Sequence, residues 1–398
     1  MTDVHTLNAE RSGVKSDRSN AAENLASSSR PVRSASPTLR VGRIGASADA
    51  GWARVSHVPA IEALAGLELA AVATRDQKSA DAAAKAYGAR AAFGDGLAMV
   101  RDPDIDLVSV VVRAPAHLDY VVAALEAGKH VYCEWPLGRN TAEAEMMAKA
   151  AGMAKVRTAV GLQARGLPAV GQARHLLADG AIGRILSAHV FSATMAWGLA
   201  SPDAMRYAED PENGVDLVTI QGAHTLDLAS VVLGELGDIS AQFTTQFPQL
   251  RVGDHGETLA RITPDHLLVQ ARLSAGAPLN VEVAGGRPPA TPFRFEITGD
   301  DGVLTVNGGA PRGVQSGRLT VSLNGEPLPL KEGELVDLPD EAAGVAGVYA
   351  QLRDDILSGS SSAPDFHDAL RLARLLDGLT LSSREGRRIR VVDGPRFR

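Results

Sequence analysis

The run Asp104-Ile105-Asp106-Leu107-Val108-Ser109-Val110-Val111-Val112 limits the fold more than any other stretch. It is dominated by β-branched residues and almost free of polar interruption, as expected for a strand covered on both faces in a parallel sheet. Similar runs stand at 39–44 and 67–73, and helix-like stretches at about 79–87 and 119–127 separate the runs. Strands alternating with helices build a doubly wound parallel sheet. The next strand, His130-Val131-Tyr132-Cys133, ends in Glu134-Trp135-Pro136. Proline cannot continue a ladder and pushes the residue before it towards an extended conformation. In open parallel sheets ligands sit at that carboxyl end, so Trp135 is held beside whatever fills the crevice.

At 398 residues the chain is too long for one ordinary core, and two domains are expected. The expected division is a disordered, polar tail over 1–37, a doubly wound α/β domain over 38–160, and a second α/β domain over 161–398. A net charge of -7 argues against a nucleic-acid surface. The one cysteine, Cys133, permits no internal disulfide and lies in an apolar run, so it reads as an inert thiol in a reducing, cytoplasmic setting. No apolar run reaches the roughly 18 residues needed to span a bilayer, and no secretory h-region is present at the N-terminus.

The first strand breaks at Gly45-Ala46-Ser47 and is followed by Gly51-Trp52 and a helical run. Small residues here let a pyrophosphate approach the backbone, and helix N–H groups then hold it. The match to G-x-G-x-x-G is imperfect, with Ser47 and Ala50 at the second and third glycines. The second strand ends in Thr74-Arg75-Asp76; a nearby arginine accommodates the 2′-phosphate of NADP, so NADP is expected, with NAD as the alternative. Pro115 and His117, at the end of the β-branched run, join Glu134, Trp135 and Pro136 as cofactor candidates. Asn140 with Glu143 reads as a capping box.

Beyond residue 160, Gln163 and Arg165 are polar groups at the expected crevice edge, and Trp197 is placed either to stack on a sugar face or to pack. Asp216, Ile220, His224 and Asp227 fall at helical spacings and share one face. His224 is then the group able to exchange a proton near neutral pH, with Asp227 one turn on to orient it and Asp216 on the same side towards substrate. Phe293, Phe295 and Ile297 alternate with polar residues in strand fashion, and Asn324-Gly325 marks a hairpin turn. Amphipathic helices close the chain at about 344–357 and 365–379. Asp254, His255, Glu257 and His266 lack a metal-binding spacing, and no metal is expected.

The stretch Ala124-Leu125-Glu126-Ala127-Gly128-Lys129-His130-Val131-Tyr132-Cys133-Glu134-Trp135-Pro136-Leu137 resembles the signature of the Gfo/Idh/MocA oxidoreductases. Three further stretches resemble a subgroup that includes the yeast galactose-pathway repressor and its bacterial relatives. They are Gly51-Trp52-Ala53 with His57-Val58-Pro59-Ala60-Ile61, Asn213-Gly214-Val215-Asp216-Leu217-Val218-Thr219 with His224-Thr225-Leu226-Asp227, and Pro264-Asp265-His266-Leu267-Leu268. The resemblance implies a Rossmann domain joined to an α/β domain with a large open, mainly antiparallel sheet, which would serve as the face of a homodimer or homotetramer. It implies hydride transfer between NAD(P) and a small-molecule sugar, polyol or related substrate, with His224 catalytic. Catalytic members carry Glu-Lys-Pro where this chain has Trp135 in the middle, and an aspartate where it has Ile220. The resemblance therefore also admits a non-catalytic dinucleotide-binding regulatory protein.

Overall fold

Six strands, Leu39–Ile44 (β1), Leu67–Ala73 (β2), Ala91–Phe93 (β3), Leu107–Val110 (β4), His130–Cys133 (β5) and Thr158–Val160 (β6), form one parallel sheet in the order β3-β2-β1-β4-β5-β6. The computed structural model describes residues 37–48, 51–253, 256–289, 293–309 and 311–391. The expected tail, apart from Pro37, lies outside these residues, as do Asp254 and His255. Strand order reverses between β1 and β4, and that switch point is where an open α/β sheet leaves a crevice. Val41, Val72, Leu107, Val108 and Val131 are completely buried, because helices cover both faces. The β-branched run pairs over Leu107–Val110 alone, and Val111 and Val112 leave the ladder to line the crevice.

The connecting helices are Trp52–Val55 (α1), His57–Ala63 (α2), Gln77–Tyr87 (α3), Gly96–Val100 (α4), His117–Glu126 (α5) and Thr141–Ala154 (α6). Asp76 caps α3 by accepting from the Ser79 backbone, so it begins the helix two residues before the sequence suggests. Only half of the expected capping box forms on α6. Asn140 accepts from Glu143 N, whereas the Glu143 carboxylate turns to the backbone and guanidinium of Arg139.

After helix Pro168–Ala178 (α7), strands Ile185–Ala193 (β7), Ala200–Ser201 (β8), Leu236–Thr244 (β9), Gln249–Val252 (β10), Glu257–Ala260 (β11), His266–Leu273 (β12), Pro278–Ala284 (β13), Phe293–Gly299 (β14), Val303–Gly308 (β15), Leu319–Leu323 (β16), Glu326–Leu328 (β17) and Ile389–Arg390 (β18) follow. Among the described residues, nine of them form a broad sheet in the order β17-β16-β15-β14-β7-β13-β12-β9-β18, and β8, β10 and β11 form a small one. Within the broad sheet β7 and β13 run parallel and the other neighbours antiparallel. Asn324 and Gly325 both take positive φ, the geometry a two-residue hairpin requires.

Helix Ala223–Leu233 (α8) lies beneath this sheet, and Asp340–Ser358 (α9) and Phe366–Glu385 (α10) close the chain. These last two helices return to the first sheet. Tyr349 of α9 stacks on Tyr132 of β5, with ring centroids 4.5 Å apart, and Val160 donates to the Pro364 carbonyl at 2.7 Å. Asp365 starts α10 with a reciprocal capping box. Cys133 is buried, and its surroundings push the thiol well above its usual range. Among the described residues no helix is long and apolar enough to cross a membrane, and no cluster of three His, Cys, Asp or Glu side chains is placed to hold a metal ion.

Candidate active site

A cleft of about 640 Å³ opens over the carboxyl ends of β1, β2 and β4. Gly45, Ala46, Ser47, Thr74 and Arg75 all line it. Gly45 is held at φ +91°, and a Cβ there would meet the Val111 carbonyl oxygen at 2.0 Å, so the bare backbone is a steric requirement. Ser79, Arg113 and Tyr120 complete the polar lining, and no carboxylate lines the cleft among the described residues. Two arginines, small residues and exposed backbone suit a phosphate-bearing ligand.

A second cavity, of about 170 Å³, lies where the bend after β5 meets the start of α8. Trp52, Glu134, Trp135, Gln163, Ile220 and His224 line it, joined by Arg312, Gln315 and Ser316. The structure thus gathers residues far apart in sequence around the imidazole. His224 is 4% exposed, and burial pushes its pKa down to about 3, so the ring is neutral at physiological pH. Trp135 forms a wall, its indole N–H donating to the Thr219 carbonyl at 2.6 Å. Its peptide bond to Pro136 is cis. Glu134 accepts from His57 Nε2 at 3.0 Å and from Gln163 Nε2 at 3.2 Å.

Several expected site residues are used elsewhere. Arg165 and Asp227 do not face the cavity; they pair with each other at 2.6 Å, and Arg165 also meets Asp368 of α10 at 3.1 Å. Asp227 therefore does not orient His224. Asp216 does not share the face of His224, because residues Val218–Gly222 form a π-helical turn that breaks the 3.6-residue spacing. Its carboxylate instead accepts from Thr219 N at 2.7 Å, beside a separate cavity of about 160 Å³ behind Trp135. Pro136 also lines that cavity and not the one holding His224. Trp197 is packed under Gly285, and its carbonyl accepts from Arg261 at 2.7 Å.

His117 is likewise not a lining residue. Its ring nitrogens lie 3.0 Å from the Val112 carbonyl and 2.9 Å from the Pro136 carbonyl, between the crevice wall and the bend, and burial lowers its pKa, so the neutral ring donates to one of the two. Pro115 is exposed at the start of a 3-10 turn and does not line the cleft, although Ala116 of that turn does. Gly51 caps α1 at φ +111° and places the neighbouring Trp52 at the cavity.

Sequence reasoning missed Arg312, Gln315 and Ser316, which no periodic signal marks. Gly313 is pressed so close to the Gln221 amide that a Cβ would lie 2.1 Å from it, and this contact seats the loop against the π-turn. His57, noted only as part of a motif, is completely buried and bonds to Tyr349 Oη at 2.9 Å, which in turn lies 2.6 Å from Ser109 Oγ.

A cleft at the switch point of a doubly wound sheet, with a second, separate cavity around His224, is the arrangement of Rossmann-type dinucleotide-binding folds. Residues 39–162 match the family model described as oxidoreductase family, NAD-binding Rossmann fold, and residues 168–308 match that described as Gal80p, C-terminal domain. The chain belongs to the Gfo/Idh/MocA oxidoreductase family. It is 32% identical to dehydrogenase aclE of Aspergillus oryzae, over 69% of this chain and 78% of that protein. It is 28% identical to the galactose/lactose metabolism regulatory protein GAL80 of Saccharomyces cerevisiae, over 72% of this chain and 70% of the regulator. A crystal structure of a super-repressor mutant of that regulator superposes with a TM-score of 0.79 at 25% identity, covering 89% of this chain and 98% of the other. A levoglucosan dehydrogenase structure in complex with NADH and L-sorbose shares the fold, with a TM-score of 0.77 at 24% identity, covering 89% and 99% of the two chains.

Proposed function

We propose that this protein is an oxidoreductase that moves hydride between a nicotinamide dinucleotide, NADP in preference to NAD, and an alcohol or carbonyl carbon of a sugar, polyol or related small molecule. The observation that carries this reading is that His224, Glu134 and Trp135 line one small cavity at the carboxyl end of the Rossmann sheet. Residues 38–160 would serve the dinucleotide, and residues 161–398 the substrate and the assembly of a homodimer or homotetramer across the broad sheet. Thr74, Arg75 and Ser79 would receive the ribose end, and the lack of a carboxylate in that lining favours the 2′-phosphate.

When bound, the nicotinamide supplies the hydride acceptor or donor. His224, neutral and without a bonded carboxylate among the described residues, accepts the hydrogen bond of the substrate hydroxyl, and it takes the proton only as bound cofactor and substrate raise its pKa from about 3. Trp52 and Trp135 provide flat apolar walls for a sugar ring. Arg312 is the one cationic side chain in the described lining and stabilises a developing alkoxide or a substrate anion. The levoglucosan dehydrogenase complex supports a sugar-like substrate by analogy of fold.

A second reading, a dinucleotide-binding regulator without turnover, is favoured by one observation. The Trp135 indole N–H is already committed to Thr219, and so offers no proton or charge to a substrate oxygen. The test is reduction of NADP by the purified protein over a panel of sugars, polyols and cyclitols, beside calorimetric titration with NADP and NAD. Turnover that disappears in His224→Ala supports the enzyme. Cofactor binding with no turnover on the whole panel supports the regulator, and unchanged turnover in His224→Ala removes His224 from the mechanism.

A further inference from the structure

We propose that the side chain of Glu134, positioned by His57 and Gln163, makes this site prefer the oxidised, cationic nicotinamide ring over the reduced, neutral one; the proposal rests on the dinucleotide reading above. Glu134 is the one acidic side chain lining the cavity among the described residues. Its head is fixed from several sides: His57 Nε2 at 3.0 Å, Gln163 Nε2 at 3.2 Å, and Gly161, where a Cβ would lie 2.7 Å from Oε1. No arginine or lysine pairs with it among the described residues, and Arg312, the cation of the same lining, makes no ion pair with it there. Arg165, two residues from Gln163, is committed to Asp227 and Asp368, and position 135 beside it is an uncharged tryptophan.

The donors behind Glu134 point one way. A carboxylate only accepts, so His57 donates from Nε2, and in the singly protonated ring Nδ1 is the acceptor. Tyr349 Oη then donates to Nδ1 across 2.9 Å, and Ser109 Oγ donates to Tyr349 across 2.6 Å. The rings are locked as well, with Tyr132 stacked on Tyr349 and His57 edge-on to both at centroid distances of 5.2 and 5.6 Å. The imidazole and the phenol thus orient the carboxylate through one chain of hydrogen bonds. A fixed negative charge attracts a cationic ring and is indifferent to a neutral one. In a partly screened site that difference is on the order of tenfold in affinity.

The test is calorimetric titration of the full chain and of the Glu134→Gln and Tyr349→Phe variants with NADP+ and with NADPH. Glu134→Gln keeps the shape and removes the charge; it is expected to weaken NADP+ about tenfold while changing NADPH less than about threefold. Tyr349→Phe, which removes the donor to Nδ1, is expected to move the same ratio in the same direction by a smaller factor. Equal weakening of both forms in Glu134→Gln overturns the proposal and leaves the dinucleotide reading standing. If the unaltered protein binds neither form, both fall together. A ratio that moves in Glu134→Gln and stays fixed in Tyr349→Phe overturns the part assigned to Tyr349.

Discussion

The Trp135 indole N–H donates to the backbone carbonyl of Thr219 at 2.6 Å, joining the bend after the fifth strand of the Rossmann sheet to the π-helical turn that precedes His224. One hydrogen bond thus couples the wall of the candidate site to the backbone that aims its imidazole. Removing it leaves a buried carbonyl without that donor. Trp135→Phe is expected to lower unfolding free energy by about 1–3 kcal/mol, read from urea denaturation. An unchanged midpoint would show that the contact contributes nothing.

His224 ties stability to acid pH. Its folded pKa, about 3, lies below the ordinary value of 6.5, because burial disfavours the imidazolium. The unfolded chain therefore binds a proton that the folded chain refuses between those two values. The contribution is fully present above about pH 6.5 and is lost as pH falls towards 3. His224→Gln should make the stability–pH curve shallower by up to about 1.4 kcal/mol per pH unit in that window. Superimposable acid limbs for the two proteins would contradict the assignment.

The Arg165–Asp227 pair should behave as structure and not as a substrate clamp. Both side chains are nearly inaccessible, and Arg165 bridges to Asp368 of the last helix. Asp227→Ala leaves a buried cation partly compensated and is expected to destabilise the fold by about 3–5 kcal/mol. The measurement is the thermal or urea midpoint. A variant of native stability with a raised KM would return Asp227 to the substrate site.

Arg75 projects into solvent at the edge of the cleft, its nearest acidic oxygen, on Asp76, 3.7 Å away. If it meets a 2′-phosphate, Arg75→Ser should raise the Kd for NADP about tenfold while that for NAD changes less than about twofold. Equal changes for the two dinucleotides would assign the discrimination elsewhere.

Arg43, in the first strand, is completely buried, and its three guanidinium nitrogens have no hydrogen-bond partner among the described residues. Its central carbon lies 5.1 Å from the Tyr87 ring. A cation–π contact of about 0.5–2 kcal/mol does not offset the desolvation of a buried charge, which is several kcal/mol. Arg43→Met should therefore stabilise the protein by about 1–4 kcal/mol, seen as a higher denaturation midpoint. A lower midpoint would overturn the assignment of Arg43 as an uncompensated buried charge.

Short-range patterns carried most of the architecture. β-Branched runs separated by helical stretches specify a parallel sheet, Asn324-Gly325 specifies its hairpin, and Pro136 specifies the bend after Cys133, because each depends on backbone preferences within a few residues. The residues Gly45, Ala46, Ser47, Thr74 and Arg75 were legible for the same reason, since they sit at strand ends whose position the pattern sets.

What the tertiary structure decided was how the polar side chains are shared out. Asp216 and His224 part company because one π-helical turn shifts the helix phase, a change no apolar periodicity records. Arg165 and Asp227, equally plausible at a crevice edge, are buried against each other because neither charge could be desolvated alone. His57 and Tyr349 stand 292 positions apart, and only the return of a C-terminal helix onto the first sheet brings them to 2.9 Å. Local sequence sets φ, ψ and the face a residue presents; which donor meets which acceptor depends on packing and dehydration across the whole chain.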